Sequence, residues 1–269
     1  MKTIKAIQTL LKAAPTEEDL AQLQLDTRIS VQKLVQGYYK RQERLILERA
    51  RFAAMTEFEQ KYYAQGVEYV AGVDEAGRGP LAGPLSVAAV ILPRDVFISG
   101  LNDSKQLSAS KRDLLYDEIM DKAVAVVVNL VGPAEIDRLN IYQATKESMA
   151  RVLEALLPQP EVALLDAMPE ELAAIRTEAL VHGDARSISI AAASIIAKVT
   201  RDRIMQELDQ EFPEYGWLQN KGYGSQKHMQ AIRDYGATKW HRRSYEPIKS
   251  MHLAQEGVSE NKLITLKKQ

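Results

Sequence analysis

The sequence predicts an α/β fold that follows an all-helical N-terminal extension. Three observations carry this prediction. The first 66 residues have helical patterning, apolar runs alternate with helical segments after Gly66, and the short apolar run Val162–Leu165 lies between prolines, as a buried parallel strand does. The expected division is a helical extension over residues 1–66, an α/β domain over 67–250 and a loosely ordered tail over 251–269.

The extension is expected to contain several helices. Thr16 begins a Thr-Glu-Glu-Asp pattern that resembles a capping box, and Thr56 with Glu59 forms a second one, whose helix should end near Gly66. Between these patterns, residues 33–51 carry six basic and two acidic side chains. A solvated helix surface is the first interpretation of this basic stretch, and a contact with nucleic acid is the alternative.

The α/β domain begins with two adjacent strands, Val67–Val73 and Leu85–Leu92, joined by a turn rich in Gly and Pro. The remaining elements alternate in type along the chain: a helix from Ser108 or Ser110 to about Lys122, a strand over Ala123–Leu130, a helix over Gln143–Leu157, the strand Val162–Leu165, an Ala-rich helix over Ile188–Leu208 and a short helix over Ser225–Tyr235. This order predicts a sheet with helices on its faces.

Composition excludes several classes of protein. The chain has 269 residues, of which 46% are hydrophobic, and its 35 basic and 36 acidic residues nearly cancel, so its total charge indicates no partner. It has no cysteine and only four histidines, which excludes a disulfide scaffold, a thiolate nucleophile and a helical two-histidine metal site. No apolar run approaches the ~20 residues of a membrane span, and the N-terminal residues lack a signal-peptide pattern, so we expect a cytoplasmic protein without membrane association.

The densest group of unusual residues lies over 71–84, with the sequence AGVDEAGRGPLAGP. Asp74 and Glu75 follow the first predicted strand, and solvated turn residues are one explanation for them. The same stretch contains four glycines, which indicates a backbone pressed against a ligand: Gly72, Gly77, Gly79 and Gly83. The glycine spacing and the two prolines do not fit a dinucleotide-binding fingerprint.

Two further acids lie at the ends of predicted elements. Asp166 ends the strand Val162–Leu165, at the carboxyl edge where open α/β sheets bind ligands, and Asp184 precedes the Ala-rich helix, where an ordinary helix cap is the alternative. With Asp74 and Glu75 they form a set of oxygen ligands that suits Mg²⁺ or Mn²⁺, and two such ions can stabilise a phosphoryl displacement. Because neighbours in a strand point to opposite faces, Asp74 and Glu75 can share a site only if the strand breaks there.

A basic and aromatic stretch lies near the C-terminus. Residues 221–249 contain seven basic and two acidic side chains, interleaved with aromatic residues, a composition that favours nucleic-acid binding. We expect most of these aromatic side chains, including Trp240, to pack in the core. Tyr223 is the exception, because it lies between two glycines, where its ring is available to stack on a sugar.

Six motifs together resemble type 2 ribonuclease H (ribonuclease HII), in the order found in that family. They are GVDEAGRGPLAGP over 72–84, LNDSKQLS over 101–108, LLDAM over 164–168, GDARSISIAAASIIAKVTRD over 183–202, KGYGS over 221–225 and HRRSYEP over 241–247. The resemblance runs from about Tyr69 to Lys249. The related type 3 enzymes lack the Gly-Arg-Gly at 77–79, which favours type 2.

The resemblance implies a ribonuclease H-like fold, a central mixed sheet flanked by helices. It implies a nuclease that uses Mn²⁺ or Mg²⁺ to hydrolyse RNA paired with DNA and to cut 5′ of ribonucleotides embedded in duplex DNA, leaving a 3′-OH and a 5′-phosphate. The metal-binding catalytic acids that it implies are Asp74, Glu75, Asp166 and Asp184.

The resemblance also implies how substrate is recognised. The backbone of Gly77-Arg78-Gly79 and the side chain of Tyr223 would contact the ribose 2′-OH, the group that distinguishes RNA from DNA, and Tyr223 would stack on the next deoxyribose. The remaining candidates for substrate binding share a polar side chain suited to backbone phosphates: Ser104, Lys105, Lys198 and Arg78.

The implied partners are RNA–DNA hybrids and ribonucleotide-containing duplex DNA, bound by a protein that we expect to be a monomer. Use of a sliding clamp is left undetermined, because the tail contains no clamp-binding peptide. Two alternatives stay open: a related-fold DNA nuclease of the integrase or resolvase type, and a non-catalytic nucleic-acid-binding module. The features that address a ribose argue against the first, and the presence of all four acids argues against the second.

Overall fold

The computed structural model describes residues 2–166, 168, 172, 175–251 and 261–267. The chain forms two compact units, Met1–Ala53 and Ala54–Gln269. Among the described helices, none combines the length and the apolar character that crossing a membrane requires.

The first unit consists of helices packed around a small apolar core. Its helices are α1 (Ile4–Lys12), α2 (Glu17–Gln24) and α3 (Ile29–Ala54). The capping box predicted at Thr16 is confirmed, because its hydroxyl accepts from the N–H of Asp19 at 3.1 Å and the Asp19 carboxylate accepts from the N–H of Thr16. The buried side chains of this core are Ile7, Leu11, Leu23, Val31 and Val35.

The second unit begins before the sheet, with α4 (Glu57–Tyr63). The division between the units therefore falls at Ala53, earlier than the predicted residue 66, because the buried ring of Tyr62 packs with the core of the second unit. The capping box predicted for Thr56 and Glu59 is wrong. Thr56 makes no side-chain cap, and Glu59 instead turns into the interior to meet Ser187.

Within the described residues, six strands form one mixed sheet, which confirms the predicted fold class. They are β1 (Val70–Ala76), β2 (Leu85–Ile91), β3 (Ala125–Val131), β4 (Val162–Asp166), β5 (Arg176–Leu180) and β6 (Asn261–Lys267). The strand order is β5-β4-β1-β2-β3-β6. The β1–β4 and β4–β5 pairs are parallel, and the other three are antiparallel.

The remaining helices flank this sheet. They are α5 (Ala109–Lys122), α6 (Pro133–Leu139), α7 (Ile141–Glu154), α8 (Ile188–Glu211), α9 (Trp217–Asn220) and α10 (Gln226–Tyr235). Strand β1 separates α7 from α8, because Ala71 and Val73 join the apolar cluster of α7 while Gly72 lies against the backbone of Ser189 in α8. Asp74, two residues after Gly72, therefore faces α8.

The expectation of a loosely ordered tail over 251–269 is wrong for part of that range. Asn261–Lys267 form β6 and pair antiparallel with β3, whose outer edge otherwise offers unpaired backbone groups. Residues 252–260, 268 and 269 lie outside the described residues, so the expectation is untested for them.

Candidate active site

Three of the four predicted acids lie together at one edge of the sheet. Asp74 is on β1, Asp166 ends β4 and Asp184 lies in the turn before α8. One carboxylate oxygen from each lies within 4.8 Å of the others, so the group could hold a metal ion. Because β1 and β4 are parallel neighbours, their carboxyl ends meet at this edge, as the sequence predicted.

Glu75 lies outside this three-carboxylate group. Strand β1 continues through Ala76, so the break that would let neighbouring side chains share a site does not occur at Asp74, although the charge of Glu75 still acts on Asp74. The backbone N–H of Glu75 donates to Asp74 Oδ1 at 2.7 Å, and its carboxylate lies 3.4 Å from the guanidinium of Arg78. A metal-binding role for Glu75 stays a prediction.

The charges of these carboxylates are unfavourable without a cation. Burial raises the pKa of Asp74 well above its ordinary value, and the charges of Glu75 and Asp166 raise it further, while a hydrogen bond from Ser194 opposes the rise. Burial also raises the pKa of Glu75, against the opposing effect of a nearby guanidinium. For Asp184, burial again raises the pKa, and a nearby ammonium group opposes it. A divalent cation would remove this repulsion.

Neighbouring groups fix the carboxylates in place. Asp166 Oδ1 accepts from the N–H of Gly183 at 2.8 Å, in the turn that carries Asp184. A side chain at Gly183 would clash with Ile190, since an added Cβ would lie 2.6 Å from its Cδ1 atom. The turn is therefore packed tightly against both α8 and the end of β4.

The predicted phosphate ligands differ in their surroundings. Ser104 is buried and its hydroxyl lies 2.8 Å from that of Ser194, so it already belongs to a network beneath the acids. Lys105 is exposed, and its ammonium group lies 3.3 Å from Asp184 Oδ2. Lys198 pairs with Asp202 at 2.7 Å within α8, and burial lowers its pKa.

Three of the four glycines in the 71–84 segment press against the protein itself. An added Cβ would lie 2.0 Å from the Ser189 backbone at Gly72, 2.1 Å from Arg201 Nε at Gly77 and 2.2 Å from a methionine sulfur at Gly83. Packing within the protein therefore explains why these three positions lack a side chain, and contact of this backbone with a ligand stays a prediction. At Gly79 the nearest atom is Cε1 of Tyr223, at an ordinary contact distance of 3.6 Å, so this glycine alone of the four has open space beside it.

A buried arginine that the sequence analysis did not single out holds the Gly77-Arg78-Gly79 loop. The Arg242 guanidinium, 0% exposed, donates to the carbonyl oxygens of Gly77 at 2.6 Å and Arg78 at 2.8 Å. The hydroxyl of Tyr245 also donates to the carbonyl of Arg78, at 2.6 Å. Both carbonyls therefore point into the protein.

The inward carbonyls orient the next two N–H groups. In a trans peptide the C=O and N–H bonds point in opposite directions, so the N–H groups of Arg78 and Gly79 point away from Arg242. Within the described chain, neither N–H donates a hydrogen bond. Adjacent free N–H groups of this kind attract oxygen atoms that carry negative charge.

A second buried arginine, Arg201 of α8, joins this loop to the turn that carries Tyr223. Its guanidinium donates to the carbonyl oxygens of Ala82, Pro84 and Lys221, at 2.9 to 3.0 Å. Burial and the charge of the nearby Arg242 lower the pKa of Arg201 to about 9, so it stays charged at neutral pH. The motif residues Arg201 and Arg242 are thus structural neighbours, which their distance in sequence conceals.

Tyr223 projects from this turn and is 52% exposed, as its position between glycines predicted. Its carbonyl oxygen lies 2.9 Å from Nδ1 of the buried His228. His228 Nε2 in turn contacts the ring nitrogen of Trp217 and Nε2 of His241, both at 3.0 Å. Tyr215 and Trp217 pack around this pair and belong to the core, whereas the rings of Tyr223 and Tyr235 are exposed to solvent.

Comparison with known proteins places these features in a family context. The family model described as Ribonuclease HII matches residues 71–247, and the model described as Ribonuclease HII N-terminal domain matches residues 3–63. A curated relative named Ribonuclease HII, from Geobacillus sp. (strain WCH70), is 46% identical over 261 residues, which cover 95% of this chain and 93% of the relative.

Two solved structures are similar to about two thirds of this chain. The ribonuclease H2 of Pyrococcus horikoshii OT3 has a TM-score of 0.59 and 31% identity, with 68% of this chain and 96% of that chain covered. The RNase HII of Archaeoglobus fulgidus, solved in a complex with PCNA, has a TM-score of 0.57 and 30% identity, with 66% and 95% covered. These likenesses confirm the expected fold.

Proposed function

The chain belongs to the ribonuclease HII family, and we propose that, beyond the endonucleolytic cleavage of RNA in RNA–DNA hybrids typical of that family, it cuts 5′ of single ribonucleotides embedded in duplex DNA. One observation carries this proposal. A single segment places the carboxylate of Asp74 in an acidic cluster and, a few residues later, presents the free N–H groups of Arg78 and Gly79 beside Tyr223. A cleavage site and a surface suited to a ribose are thus adjacent in the chain.

We propose that Asp74, Asp166 and Asp184 hold Mn²⁺ or Mg²⁺, with Glu75 as a further ligand. The donor set fits such ions, because it consists of carboxylate oxygens from buried and half-buried side chains whose charges repel one another. When two ions are bound, they supply charge stabilisation for the attacking and leaving oxygens of phosphodiester hydrolysis. The products would be a 3′-OH and a 5′-phosphate.

Recognition of the ribose is assigned to the Gly77-Arg78-Gly79 backbone and Tyr223. The outward N–H groups can donate to the 2′-OH oxygen, and the absence of a side chain at Gly79 lets a sugar approach the backbone. The exposed ring of Tyr223 can stack on the neighbouring deoxyribose. An all-DNA strand lacks the hydroxyl and would leave these donors without a partner.

Lys105 is the strongest of the proposed phosphate contacts, because its ammonium group is exposed beside Asp184. The Asp184 carboxylate raises the pKa of Lys105, against the opposing effect of burial, so the group is positively charged at neutral pH. Arg78, Ser104 and Lys198 are kept as proposed contacts, although Ser104 and Lys198 each have a partner within the protein.

The proposed role is the removal of ribonucleotides from DNA, in the cytoplasm, by a monomer. The RNase HII of Archaeoglobus fulgidus was solved in a complex with PCNA. For this chain, use of a sliding clamp stays undetermined.

The experiment uses a DNA duplex with one ribonucleotide, incubated with the full chain and Mn²⁺ or Mg²⁺. Cleavage 5′ of the ribonucleotide, with no cleavage of an all-DNA duplex, is the expected result. Cleavage of both duplexes would indicate a DNA nuclease of related fold. Binding without cleavage of either duplex would indicate a non-catalytic nucleic-acid-binding module.

A further inference from the structure

The first turn of α8 depends on residues that precede the sheet. A helix leaves its first N–H groups without partners inside the helix. In α8 the N–H of Ile188 donates to the carbonyl of Met55 at 3.1 Å, and the N–H of Ser189 donates to Glu59 Oε1 at 3.0 Å. The next N–H is capped within the helix, by the hydroxyl of Ser187. Two of these three N–H groups therefore rely on the region around α4.

Glu59 is entirely buried where it meets α8, with 0% exposure. Besides the Ser189 N–H, its Oε1 atom accepts from the hydroxyl of Ser187 at 2.6 Å. Burial raises the pKa of Glu59, and these hydrogen bonds oppose the rise. Burying a carboxyl group is unfavourable, but the positive end of a 24-residue helix offsets part of that cost.

The same turn leads directly to the candidate metal site. The N–H of Ser187 donates to the carbonyl of Gly183 at 2.8 Å, and the N–H of Gly183 donates to Asp166 Oδ1 at 2.8 Å. Asp184 lies between these two anchored positions. Hydrogen bonds thus connect Glu59, through Ser187 and Gly183, to Asp166, and Asp184 directly follows Gly183 in the chain.

We propose that Glu59 is a positioning residue for the metal site, which it supports by holding the turn that carries Asp184 against the N-terminus of α8. This inference rests on the proposed function, since it requires that Asp184 bind a metal ion. Its consequence is that Glu59, although it precedes the sheet in the chain, supports the metal site without contacting it. A chain that begins at Val67 would lack that support, whereas a chain that begins at Ala54 would retain it.

The test measures Mn²⁺ binding to full-length variants by titration, with free Mn²⁺ detected by electron paramagnetic resonance, beside the thermal unfolding midpoint of each metal-free variant. Glu59→Ala removes the carboxylate acceptor. Glu59→Asp keeps the carboxylate and its charge but shortens the side chain by one methylene group. Glu59→Gln keeps an oxygen acceptor for Ser187 and Ser189. Tyr62→Phe is the matched control, because it removes a different α4 contact, the hydroxyl bond to Glu178 on β5.

Loss of a residue that orients metal ligands typically weakens metal binding about 10- to 100-fold. We expect a loss of that size for Glu59→Ala and Glu59→Asp, with near wild-type affinity for Glu59→Gln and Tyr62→Phe. If Glu59→Ala does not fold, the comparison of Glu59→Asp with Glu59→Gln decides the question. A lowered unfolding midpoint with unchanged Mn²⁺ affinity in the alanine and aspartate variants would overturn the inference. Absence of Mn²⁺ binding by the wild-type chain would instead contradict the proposed function.

Discussion

The Nη2 atom of Arg242 lies 2.6 Å from the carbonyl oxygen of Gly77, and no carboxylate lies within ion-pair distance of this guanidinium in the described part of the chain. The guanidinium donates to the carbonyl oxygens of Gly77, Arg78 and Gly83, and also to the hydroxyl of Tyr245 at 3.3 Å. The positive charge of Arg242 lies behind the peptide groups whose N–H bonds, those of Arg78 and Gly79, face outward. This charge strengthens the attraction of the two N–H groups for an oxygen ligand.

We predict that Tyr245→Phe weakens the discrimination between ribose and deoxyribose. The substitution removes one donor to the carbonyl of Arg78 and leaves Arg242 in place, so the loop keeps its fold but loses part of its orientation. Loss of one neutral hydrogen bond typically costs about 1 kcal/mol, or roughly a fivefold change. The measurement is the ratio of affinities for two duplexes that differ by one 2′-OH, in an Asp74→Asn background without cleavage. Equal weakening on both duplexes would contradict this prediction.

We predict that Asp74→Asn abolishes cleavage but retains binding of RNA–DNA hybrid. The change removes the charge of a buried carboxylate in the metal-binding group with little change in size. Since a bound metal ion can supply several kcal/mol of transition-state stabilisation, the rate should fall at least about a thousandfold. Single-turnover cleavage and hybrid binding are measured at one Mg²⁺ concentration. Turnover close to that of the wild type would show that Asp74 is not an essential metal ligand.

We predict that Tyr223→Ala impairs cleavage at a single ribonucleotide far more than it impairs general binding of hybrids. Its ring is exposed beside Gly79, and loss of one stacking contact typically costs ~1–3 kcal/mol. Tyr235→Ala is the matched control, because this tyrosine is also exposed but lies at the end of α10. Equal and small effects of Tyr223→Ala on every nucleic acid would indicate a generic contact.

Because His228 and His241 are buried, we predict that the protein loses stability in acid. Burial lowers the pKa of both imidazoles, and the proximity of His228 helps to lower that of His241 to about 3. Below their ordinary pKa of 6.5, the unfolded chain takes up protons that the folded chain does not. The free energy of unfolding should therefore fall as the pH drops from 6.5 towards 3, by up to about 1.4 kcal/mol per pH unit for His241, and His228 should add to the loss below pH 6.5.

The measurement for the histidine pair is the urea unfolding free energy as a function of pH, for the metal-free wild type and for His241→Asn. The carboxylates with raised pKa act in the opposite direction in both proteins, so the difference between the two curves isolates the histidine contribution. The variant should be less stable at pH 7.5 but lose less stability on acidification. Parallel curves would contradict the prediction.

We predict that the basic stretch of α3 contributes to substrate affinity through contacts with phosphates. Lys40, Arg41 and Arg44 are exposed, and their simultaneous replacement by glutamine should flatten the slope of log affinity against log salt by roughly two units if two or three phosphates are contacted. The rate at saturating substrate should change little. Replacement of the exposed Lys5 and Lys12 on α1 is the control. An unchanged slope in the α3 variant would indicate that the basic stretch is a solvated surface that makes no phosphate contacts.

The structure indicates where the N-terminal extension can be removed. The second unit includes α4 and its buried Tyr62, which a chain that begins at Val67 would lack. A chain that begins at Ala54 is therefore the appropriate truncation for separating the basic stretch from the α/β unit.

Much of the fold could be predicted from local pattern. The strand at Val162, the cap at Ser225 and the carboxyl-edge position of Asp166 all follow from apolar runs and capping residues, whose signals are confined to a few neighbours in sequence. Strand β5 could not be predicted, because its residues are mostly polar and half-exposed. Strand β6 was missed because its partner is the distant β3, not a neighbouring hairpin.

The residues of the candidate site likewise divide into those that could be predicted from the sequence and those that could not. Acids at strand ends indicate their role through residue type and position, and Asp74, Asp166 and Asp184 do come together. The buried roles of Arg242 and Glu59 could not be predicted, because a charged residue normally indicates a surface, and their partners are more than 100 positions away. Only the three-dimensional structure shows that these side chains complete backbone hydrogen bonding in the interior.

Strand β6 also has a consequence for how the protein behaves during synthesis. Its partner β3 has the sequence AVVVNLV, an uncharged segment rich in β-branched residues and free of proline. Segments of this kind are prone to intermolecular β-pairing when an edge is left open. Since Asn261–Lys267 come after the other described strands in the chain, this edge stays uncovered until β6 has been synthesised. Chains that lack β6 should therefore aggregate more readily than chains that contain it.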